Sequence, residues 1–352
     1  MAKKAEYGHL LVIRFSALGD VAMTVPVLLA VTKKYPQLRI TVVSRGFHNP
    51  LFKGIDNIDF YEARLDGDHK GVFGLWKLYK SLKSLHIDAV ADLHNVLRSA
   101  ILKSFFNLSG FKVVQIDKGR AEKKALTSNK GKVFKQLKST HQRYAEVFSK
   151  LGYPVELTHD DVLERLPLSD KILSITGNNT LKWIGIAPFA AHSGKMYPIK
   201  KMENIVADLL KTERYKMFFF GGGATEKEQL DALASNHDTI VNITGRLSFS
   251  EELELISNLD LMVSMDSANG HLAANYGVPA ITLWGVTHPY AGFYPYGQPM
   301  DNALLSDKEK YPLIPTSIYG NKVPKGYENV METISEHEIL SKIKQVLEHK
   351  NQ

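Results

Sequence analysis

The sequence predicts an α/β protein whose sheets are mostly parallel, and three observations support this prediction. Short apolar segments typical of buried strands alternate with longer segments of helical periodicity over most of the 352 residues. The alternation lapses once, between about residues 153 and 182, where polar and turn residues accumulate. A new strand–loop–helix series begins after the lapse. Because alternating β and α elements form parallel sheets with right-handed crossovers, we expect two Rossmann-like domains with a cleft between them.

The individual elements follow from the same periodicity. The predicted strands are short and apolar, and they cover residues 9–15, 39–44, 87–93, 112–117, 183–187, 216–221, 239–243, 260–265 and 279–284. The predicted helices are amphipathic or buried, and they cover residues 21–31, 72–85, 141–151, 201–212, 225–235, 250–259, 270–276 and 331–349. We therefore predict one domain over residues 1–175, a second over 176–330 and a closing helix within 331–352. The stretch 300–326 is rich in Pro, Gly and Lys and predicts an irregular loop.

Composition and net charge limit the classes of protein to which this chain can belong. The chain has 44 Lys and Arg against 37 Asp and Glu, a net charge of +7. This modest surplus does not indicate nucleic acid, but it suits an anionic partner such as a nucleotide, a phosphorylated glycan or a membrane surface. The chain has no cysteine, which excludes disulfides, thiolate metal sites and a cysteine nucleophile. No segment approaches the roughly 20 apolar residues of a membrane span, so we expect a cytoplasmic protein.

The first loop of chemical interest lies in the stretch "LLVIRFSALGDVAMTVPVLLAV". An apolar strand ends there, and Ser16, Ala17 and Gly19 permit a tight turn before Asp20. Ligands of doubly wound folds bind beyond the carboxyl ends of the strands, so Asp20 is a candidate catalytic residue. The alternative is that Asp20 is only the N-cap of the following helix, a position that Asp favours.

Three loops of the second half also follow predicted strands. "APFAAHSGKMYP" offers the hydroxyl of Ser193 and the cation of Lys195, and such a loop can bind a phosphate. "GGGATEKE" brings backbone close to a ligand, and its Glu226 could accept hydrogen bonds from both hydroxyls of a ribose. "SMDSANGHLAANYGVP" places Asp266 and Ser267 before a helix whose first N–H groups can bind an anion. Together these loops describe a site for a diphosphate with a nucleoside attached.

Each of these residues also has an ordinary structural explanation. Lys195 could be a solvated surface lysine, and Glu226 could be a first-turn acid that complements the helix dipole. Asp266 and Ser267 could be a capping pair, and His271 could be a core histidine. No single residue decides the function.

Two further features are weaker. The pair Asp66 and Asp68 in "LDGDH" could hold a divalent metal, although it sits in a turn with no other ligand nearby. The stretch 118–143 carries nine Lys or Arg residues with few acids. Such a stretch is usually a solvated loop, and here it could also face an anionic acceptor.

Taken together, the loops resemble a known family. "RFSALGDVAMTVPVL" is similar to the N-terminal signature of the family 9 glycosyltransferases, the lipopolysaccharide heptosyltransferases. "VSMDSANGHLAANYGVPAITLWGVTHP" is similar to their C-terminal signature, and the similarity extends in order over nearly the whole chain. The resemblance implies the GT-B architecture, in which two Rossmann-like domains face each other across a cleft, the first binding the acceptor and the second the donor.

The resemblance also implies an activity. Family members move heptose from ADP-heptose to the lipopolysaccharide inner core with inversion, without a metal or other cofactor. The expected partners are the ADP-sugar and the anionic core acceptor, and not nucleic acid. The expected location is the cytoplasm, with peripheral association at the cytoplasmic face of the inner membrane as the alternative.

Site roles carry over by motif. Asp20 corresponds to the general base, Lys195 to the ligand of the donor diphosphate and Glu226 to that of the adenosine ribose. The residues expected to complete the nucleotide and sugar pocket are Leu247 beside adenine, Asp266 at the heptose hydroxyls, Ser267, Ala268, His271 and Ser193.

This chain departs from the family pattern at the donor loops. Ala190 and Ala191 stand where family members carry hydroxyl residues, and Ala268 stands where they carry glycine. Diphosphate contacts must then come from backbone groups, from His192 or from Ser193. These differences bear on the choice of donor sugar and not on the fold.

Two alternative functions are compatible with an α/β fold of two Rossmann-like domains. A nicotinamide-dependent oxidoreductase needs Gly-x-Gly-x-x-Gly after its first strand, whereas this chain has "SALGDV" there. In "GGGATE", Glu226 occupies the place of the third glycine. A non-catalytic protein that binds a sugar nucleotide or glycan on the same fold is the second alternative, and the presence of Asp20 argues against it.

Overall fold

A computed structural model describes residues 8–177, 180–235 and 237–349. They form two compact units. Among the described residues, the first unit comprises 8–119 and 138–163. The second comprises 120–137 and the described residues from 164 to 349.

Strands and helices alternate along both units. The strands are β1 (His9–Ile13), β2 (Arg39–Ser44), β3 (Ile58–Glu62), β4 (Ala89–Asp92), β5 (Lys112–Gln115), β6 (Lys182–Ala187), β7 (Tyr215–Phe219), β8 (Ile240–Asn242), β9 (Leu261–Met265), β10 (Ala280–Trp284) and β11 (Ala303–Leu305). The helices are α1 (Leu18–Ala22), α2 (Val25–Lys34), α3 (Gly71–Lys83), α4 (Leu97–Leu108), α5 (Arg120–Leu126), α6 (Thr140–Lys150), α7 (Asp170–Thr176), α8 (Ile199–Leu210), α9 (Gly223–Ala234), α10 (Phe249–Ser257), α11 (Ala268–Asn275) and α12 (Glu336–His349).

The first unit is built on a five-stranded sheet with the order β3-β2-β1-β4-β5, in which every paired strand is parallel. Leu11 and Ile13 of β1 share a core cluster with Leu78 of α3 and Leu102 of α4. Leu10 and its neighbours facing the other way are equally buried. The uninterrupted apolar run of β1 is thus explained by burial on both faces of a parallel sheet.

The second unit has a six-stranded parallel sheet with the order β11-β10-β9-β6-β7-β8. Ile186, Val263 and Ile281 of its central strands lie in one core cluster with residues of α8 and α12. The closing helix α12 therefore packs as a part of this unit, with Ile339 and Ile343 fully buried. The predicted α/β class with two Rossmann-like sheets is confirmed.

The division between the units differs from the predicted one at residue 175. Residues after 164 bond to α10: the N–H of Leu166 donates to Ser257 Oγ at 3.1 Å, and Asn258 Nδ2 donates to Leu166 O at 2.9 Å. Residues 120–137 join the second unit because Leu137 N donates to Tyr290 O at 2.9 Å and Lys132 donates to main-chain carbonyls. Hydrogen bonds between residues distant in sequence, which composition cannot reveal, place these segments.

Several local predictions needed correction. The predicted helix 21–31 is two helices, because Pro26 lacks the N–H that would continue α1 and is instead accommodated in the first turn of α2. The predictions missed β3, whose residues are only partly buried, and the helices α4, α5 and α7. The predicted irregular tail contains the short strand β11, which pairs with β10. Among the described residues, no helix combines the length and apolar character needed to cross a membrane.

Candidate functional site

Asp20 lies at the carboxyl edge of the first sheet, one short loop beyond β1. Its Oδ2 is 2.6 Å from Nη2 of Arg14, and the side chains are 28% and 5% exposed, respectively. The N-cap position of α1 belongs to Ala17, so the interpretation of Asp20 as a cap is wrong. The carboxylate is anchored on one side by a buried cation and open to solvent on the other.

The surroundings of Arg14 hold it in place. Its Nη1 donates to Leu93 O at 2.8 Å, and its guanidinium carbon lies 6.0 Å from the ring centroid of Tyr144. The Tyr144 hydroxyl donates to the main-chain oxygen of Asp20 at 3.2 Å. Burial raises the pKa of Tyr144 well above its ordinary value, so the hydroxyl stays protonated and remains a donor. Both the backbone and the carboxylate of Asp20 are therefore positioned by buried partners.

Other titratable groups at this edge are less suited to proton transfer. Burial, followed by the nearby Arg14, lowers the pKa of His94 to about 3, and burial with Arg45 lowers that of His48 to about 4. Asp92, at the end of β4, is fully buried and accepts hydrogen bonds from the N–H of His94 and from two neighbouring groups. Asp20, with an exposed face, is the better candidate for a base.

In the second unit, the structure brings Lys195 and Asp266 together. Lys195 ends a short 3₁₀ turn that begins at Ser193, and its Nζ lies 3.1 Å from Asp266 Oδ2. The side chains are 14% and 9% exposed, so the surface-lysine interpretation is wrong. Ser193 itself is exposed at the start of the turn. A largely buried lysine beside a helix N-terminus is suited to bind a polyanion.

A turn in the C-terminal tail covers the stem of Lys195. Gly320 has φ +84°, and a Cβ placed there would lie 2.4 Å from Lys195 Cγ and Cδ. The turn is tied by Ser317 Oγ, which accepts the Gly320 N–H at 2.9 Å. Sequence reasoning missed this contact, because the tail showed only loop composition. A conspicuous glycine between Tyr319 and Asn321 was the one available signal.

The segment after β9 leads into α11. Ser267 occupies the N-cap position, yet its side chain makes no capping bond. Its Oγ is buried without a hydrogen-bond partner among the described residues. The interpretation of Asp266 and Ser267 as a capping pair is therefore wrong. Ala268 begins the helix, and His271 is buried one turn further on. The hydroxyl of Ser267 at the start of α11 therefore has unused hydrogen-bonding capacity.

Glu226 and Leu247 lie near the glycine loop after β7. Glu226 is in the first turn of α9 and accepts the N–H of Gly222 through Oε2 at 2.6 Å. The first-turn interpretation is thus confirmed, and Oε1 makes no hydrogen bond among those described. Leu247 is 9% exposed. A Cβ at Gly221 would lie 3.2 Å from both Glu226 Oε2 and Thr244 Oγ1, so these groups border the same loop.

The weaker candidates take other roles. Asp66 pairs with Arg45 at 2.6 Å and Asp68 with Arg64 at 3.3 Å, so both carboxylates bond to arginines. The described residues contain no group of three potential metal ligands. In the basic stretch 118–143, Lys132 donates to the carbonyls of Leu313 and Pro315, so part of this stretch is docked on the second unit and not solvated.

Comparisons with known proteins agree with this arrangement. The family model "Glycosyltransferase family 9 (heptosyltransferase)" matches residues 75–315. The chain is 26% identical over 293 residues to the lipopolysaccharide core heptosyltransferase OpsX of Haemophilus influenzae, with 80% of each chain covered. It is 24% identical to the lipopolysaccharide heptosyltransferase 1 of Pseudomonas aeruginosa, with 81% of each covered.

Solved structures show the same fold. A family 9 glycosyltransferase from Veillonella parvula superposes with a TM-score of 0.75 at 20% identity, covering 99% of this chain and 100% of that one. The E. coli heptosyltransferase WaaC with ADP gives a TM-score of 0.66 at 17% identity, covering 96% and 99%. These likenesses confirm the GT-B fold. Since the family model spans well over half of its length, this chain belongs to glycosyltransferase family 9, the heptosyltransferase family, and is a glycosyltransferase.

Proposed function

We propose that this glycosyltransferase transfers a heptose from ADP-heptose to the inner core of lipopolysaccharide. The observation that carries the proposal is the Arg14–Asp20 pair, which presents a carboxylate with one exposed side. Relatives at 24 to 26% identity are named lipopolysaccharide core or lipopolysaccharide heptosyltransferases. A structure of WaaC with ADP-2-deoxy-2-fluoro heptose has the same fold as this chain.

The donor would be held by the second unit. Lys195 exchanges its bond to Asp266 for the donor diphosphate, and Asp266 is then free to accept hydrogen bonds from sugar hydroxyls. Ser267 Oγ and the first N–H groups of α11 donate to the diphosphate, which compensates for Ala190 and Ala191. His271 lies on the same helix and belongs to this pocket. The free oxygen of Glu226 accepts from the ribose, and Leu247 packs against adenine.

The reaction is a single displacement. Asp20 accepts the proton of the acceptor hydroxyl as its oxygen attacks the anomeric carbon. The bond from that carbon to the diphosphate oxygen breaks, ADP leaves and the configuration inverts. Lys195 and the α11 N–H groups stabilise the negative charge on the leaving diphosphate, so the mechanism needs neither a metal nor a cofactor.

The proposed acceptor indicates where in the cell the enzyme acts. Lipopolysaccharide precursors are anionic amphiphiles, which fits the net charge of +7. We propose a cytoplasmic enzyme that works peripherally at the cytoplasmic face of the inner membrane, with no nucleic-acid partner.

The proposal is tested by comparing wild type with Asp20→Asn, which keeps the size of the side chain. We expect ADP-heptose turnover to fall by about 10²-fold or more in the variant, with ADP affinity unchanged within about twofold. Equal turnover by the two proteins would remove Asp20 as the base. Tight binding of ADP with no transfer by the wild type would favour the non-catalytic alternative.

A ligand panel identifies the donor class. Ligands that bind only the folded state raise the thermal midpoint, and we expect ADP to outperform UDP, GDP and NAD. A larger shift with NAD would support an oxidoreductase instead.

A further inference from the structure

Helix α3 of the first unit has two sharply different faces. Leu75, Leu78 and Leu82 point into the core and are at most 2% exposed. On the opposite face, Phe73 is 85% exposed and Trp76 is 42% exposed. Large aromatic side chains left in water at successive turns of a helix indicate an interaction surface.

These aromatic residues lie at the edge of the sheet that carries Asp20. The helix α3 follows β3 after a connection of residues 63–70, so its first turn lies toward the carboxyl ends of the parallel strands. The segments that follow β2 and β4 expose apolar residues at the same edge. We call the whole set the apolar rim; its members are Phe47 (58% exposed), Val72 (56%), Phe73, Trp76 and Leu97 (78%).

The charged side chains of α3 and α4 are all basic. Lys77, Lys80 and Lys83 share the outward face of α3 with the aromatic residues. Lys80 Nζ lies 3.8 Å from the ring centroid of Trp76, a cation–π contact. Neither α3 nor α4 contains an acidic residue. The acids of the segment that precedes α3, namely Glu62, Asp66 and Asp68, pair with arginines.

We propose that the apolar rim and the lysines of α3 seat the first unit on an anionic lipid bilayer. Aromatic residues beside lysines on one helix face are typical of helices that lie in a membrane interface, where the rings enter the headgroup region and the lysines bind anionic lipids. Such seating brings the edge that carries Asp20 to the lipid surface. The inference deepens the proposed function, because a glycan acceptor anchored in the bilayer would be presented to that edge.

Trp76 provides a direct readout of the contact. Of the three tryptophans, Trp284 is buried and Trp183 is partly buried, so an exposed indole at position 76 reports on the rim. Adding vesicles of phosphatidylglycerol and phosphatidylcholine should shift the emission to shorter wavelength. Vesicles of phosphatidylcholine alone should leave it nearly unchanged, because they lack the anionic charge that attracts the lysines.

Vesicle cosedimentation then compares two variants of this surface with two controls. We expect Phe73→Ser with Trp76→Ser, and separately Lys77→Glu with Lys80→Glu, to lower the affinity for anionic vesicles by about tenfold or more. Leu173→Ser on α7 and Lys344→Glu on α12 alter similarly exposed side chains of the second unit and should bind within about twofold of wild type. Equal binding by all five proteins would overturn the proposal.

Two further measurements separate this inference from the proposed function. The surface variants should lose transfer to an acceptor embedded in vesicles while keeping transfer to a delipidated core oligosaccharide. If the wild type transfers sugar to neither acceptor, the proposed function is wrong, whereas the vesicle-binding result stands independently of it. The proposal would also be overturned if the wild type does not bind vesicles but forms a dimer, and if Phe73→Ser with Trp76→Ser makes that dimer dissociate. The apolar rim would then be an interface with a second copy of the chain.

Discussion

Arg14 Nη2 lies 2.6 Å from Asp20 Oδ2, which joins a guanidinium that is 5% exposed to a carboxylate that is 28% exposed. A second pair in the same unit, Arg39 with Asp59, has the same 2.6 Å separation but side chains that are 62% and 50% exposed. The two pairs have the same separation and differ in burial, so the Arg39 pair is a control for the Arg14 pair.

We expect Arg14→Gln to lower turnover by at least about tenfold, because Asp20 loses the buried partner that orients its carboxylate. Affinity for ADP should not change, since the donor loops lie in the other unit. Arg39→Gln should leave turnover unchanged and alter the free energy of unfolding by less than about 1 kcal/mol. Steady-state kinetics with ADP titration tests this; an Arg14→Gln enzyme with wild-type kcat would show that the pair does not position the base.

The Lys195–Asp266 pair predicts separate effects on nucleotide and sugar. Lys195→Ala should weaken ADP by about tenfold to a hundredfold, because a charge-assisted contact to the diphosphate is lost. Asp266→Asn should bind ADP at least as well as wild type, since it no longer competes for Lys195, yet lose affinity for the intact ADP-sugar. Calorimetric titration with ADP and with the intact ADP-sugar distinguishes the two variants. Equal losses of ADP affinity in both variants would contradict the exchange of partners.

Gly320 predicts an effect on Lys195 that is separable from backbone strain. Gly320→Ala places a methyl group against the aliphatic part of the Lys195 side chain, at a φ of +84°. Gly326→Ala is the control, because Gly326 has a φ of +86° and open space where the methyl group would lie. Both variants should lose about 1 kcal/mol of stability to the left-handed backbone. We expect only Gly320→Ala to weaken ADP as well. Denaturant unfolding and ADP titration measure the two effects, and equal ADP affinity in both variants would show that the turn does not support Lys195.

Two adjacent glutamates on α10 predict opposite effects on stability. Burial raises the pKa of Glu252 to about 7, above its ordinary 4.5. Its folded form therefore retains a proton, and the stability it contributes is lost as the pH rises through about 7. We expect Glu252→Gln to raise the free energy of unfolding by about 1–3 kcal/mol at about pH 8, and to have little effect at about pH 4.

Glu251 is the control for this experiment. The N–H of Ser248, followed by Lys171, lowers the pKa of Glu251, whose Oε2 accepts from both groups. Its contribution is present above its ordinary pKa and lost as the pH falls. Glu251→Gln should therefore destabilise the protein at about pH 8. Thermal unfolding across this pH range measures both variants, and the same sign for the two at about pH 8 would contradict the assignment.

Elements that depend on residues near each other in sequence were predicted, and features that depend on distant contacts were not. The strands β1, β2 and β4 and the loops that follow the central strands were predicted because their apolar runs and turns lie within a few residues. The edge strands β3 and β11 were missed because most of their residues are only partly buried or exposed, so their sequences lack a clear apolar run. Pro26 is itself a local signal of the new helix start, but the continuous apolar run through it predicts a single helix.

Sequence alone determined the α/β class, the alternation that produces two parallel sheets, and the positions of Asp20, Lys195 and Asp266 at strand ends. These features depend on periodicity and on the rule that parallel strands end at a common edge. Only the tertiary structure decided that Arg14 anchors Asp20, that Gly320 covers Lys195, and that residues 120–137 join the second unit. Those relationships join residues far apart in the chain or on opposite sides of a turn, and their energies depend on burial, which the order of residues does not specify.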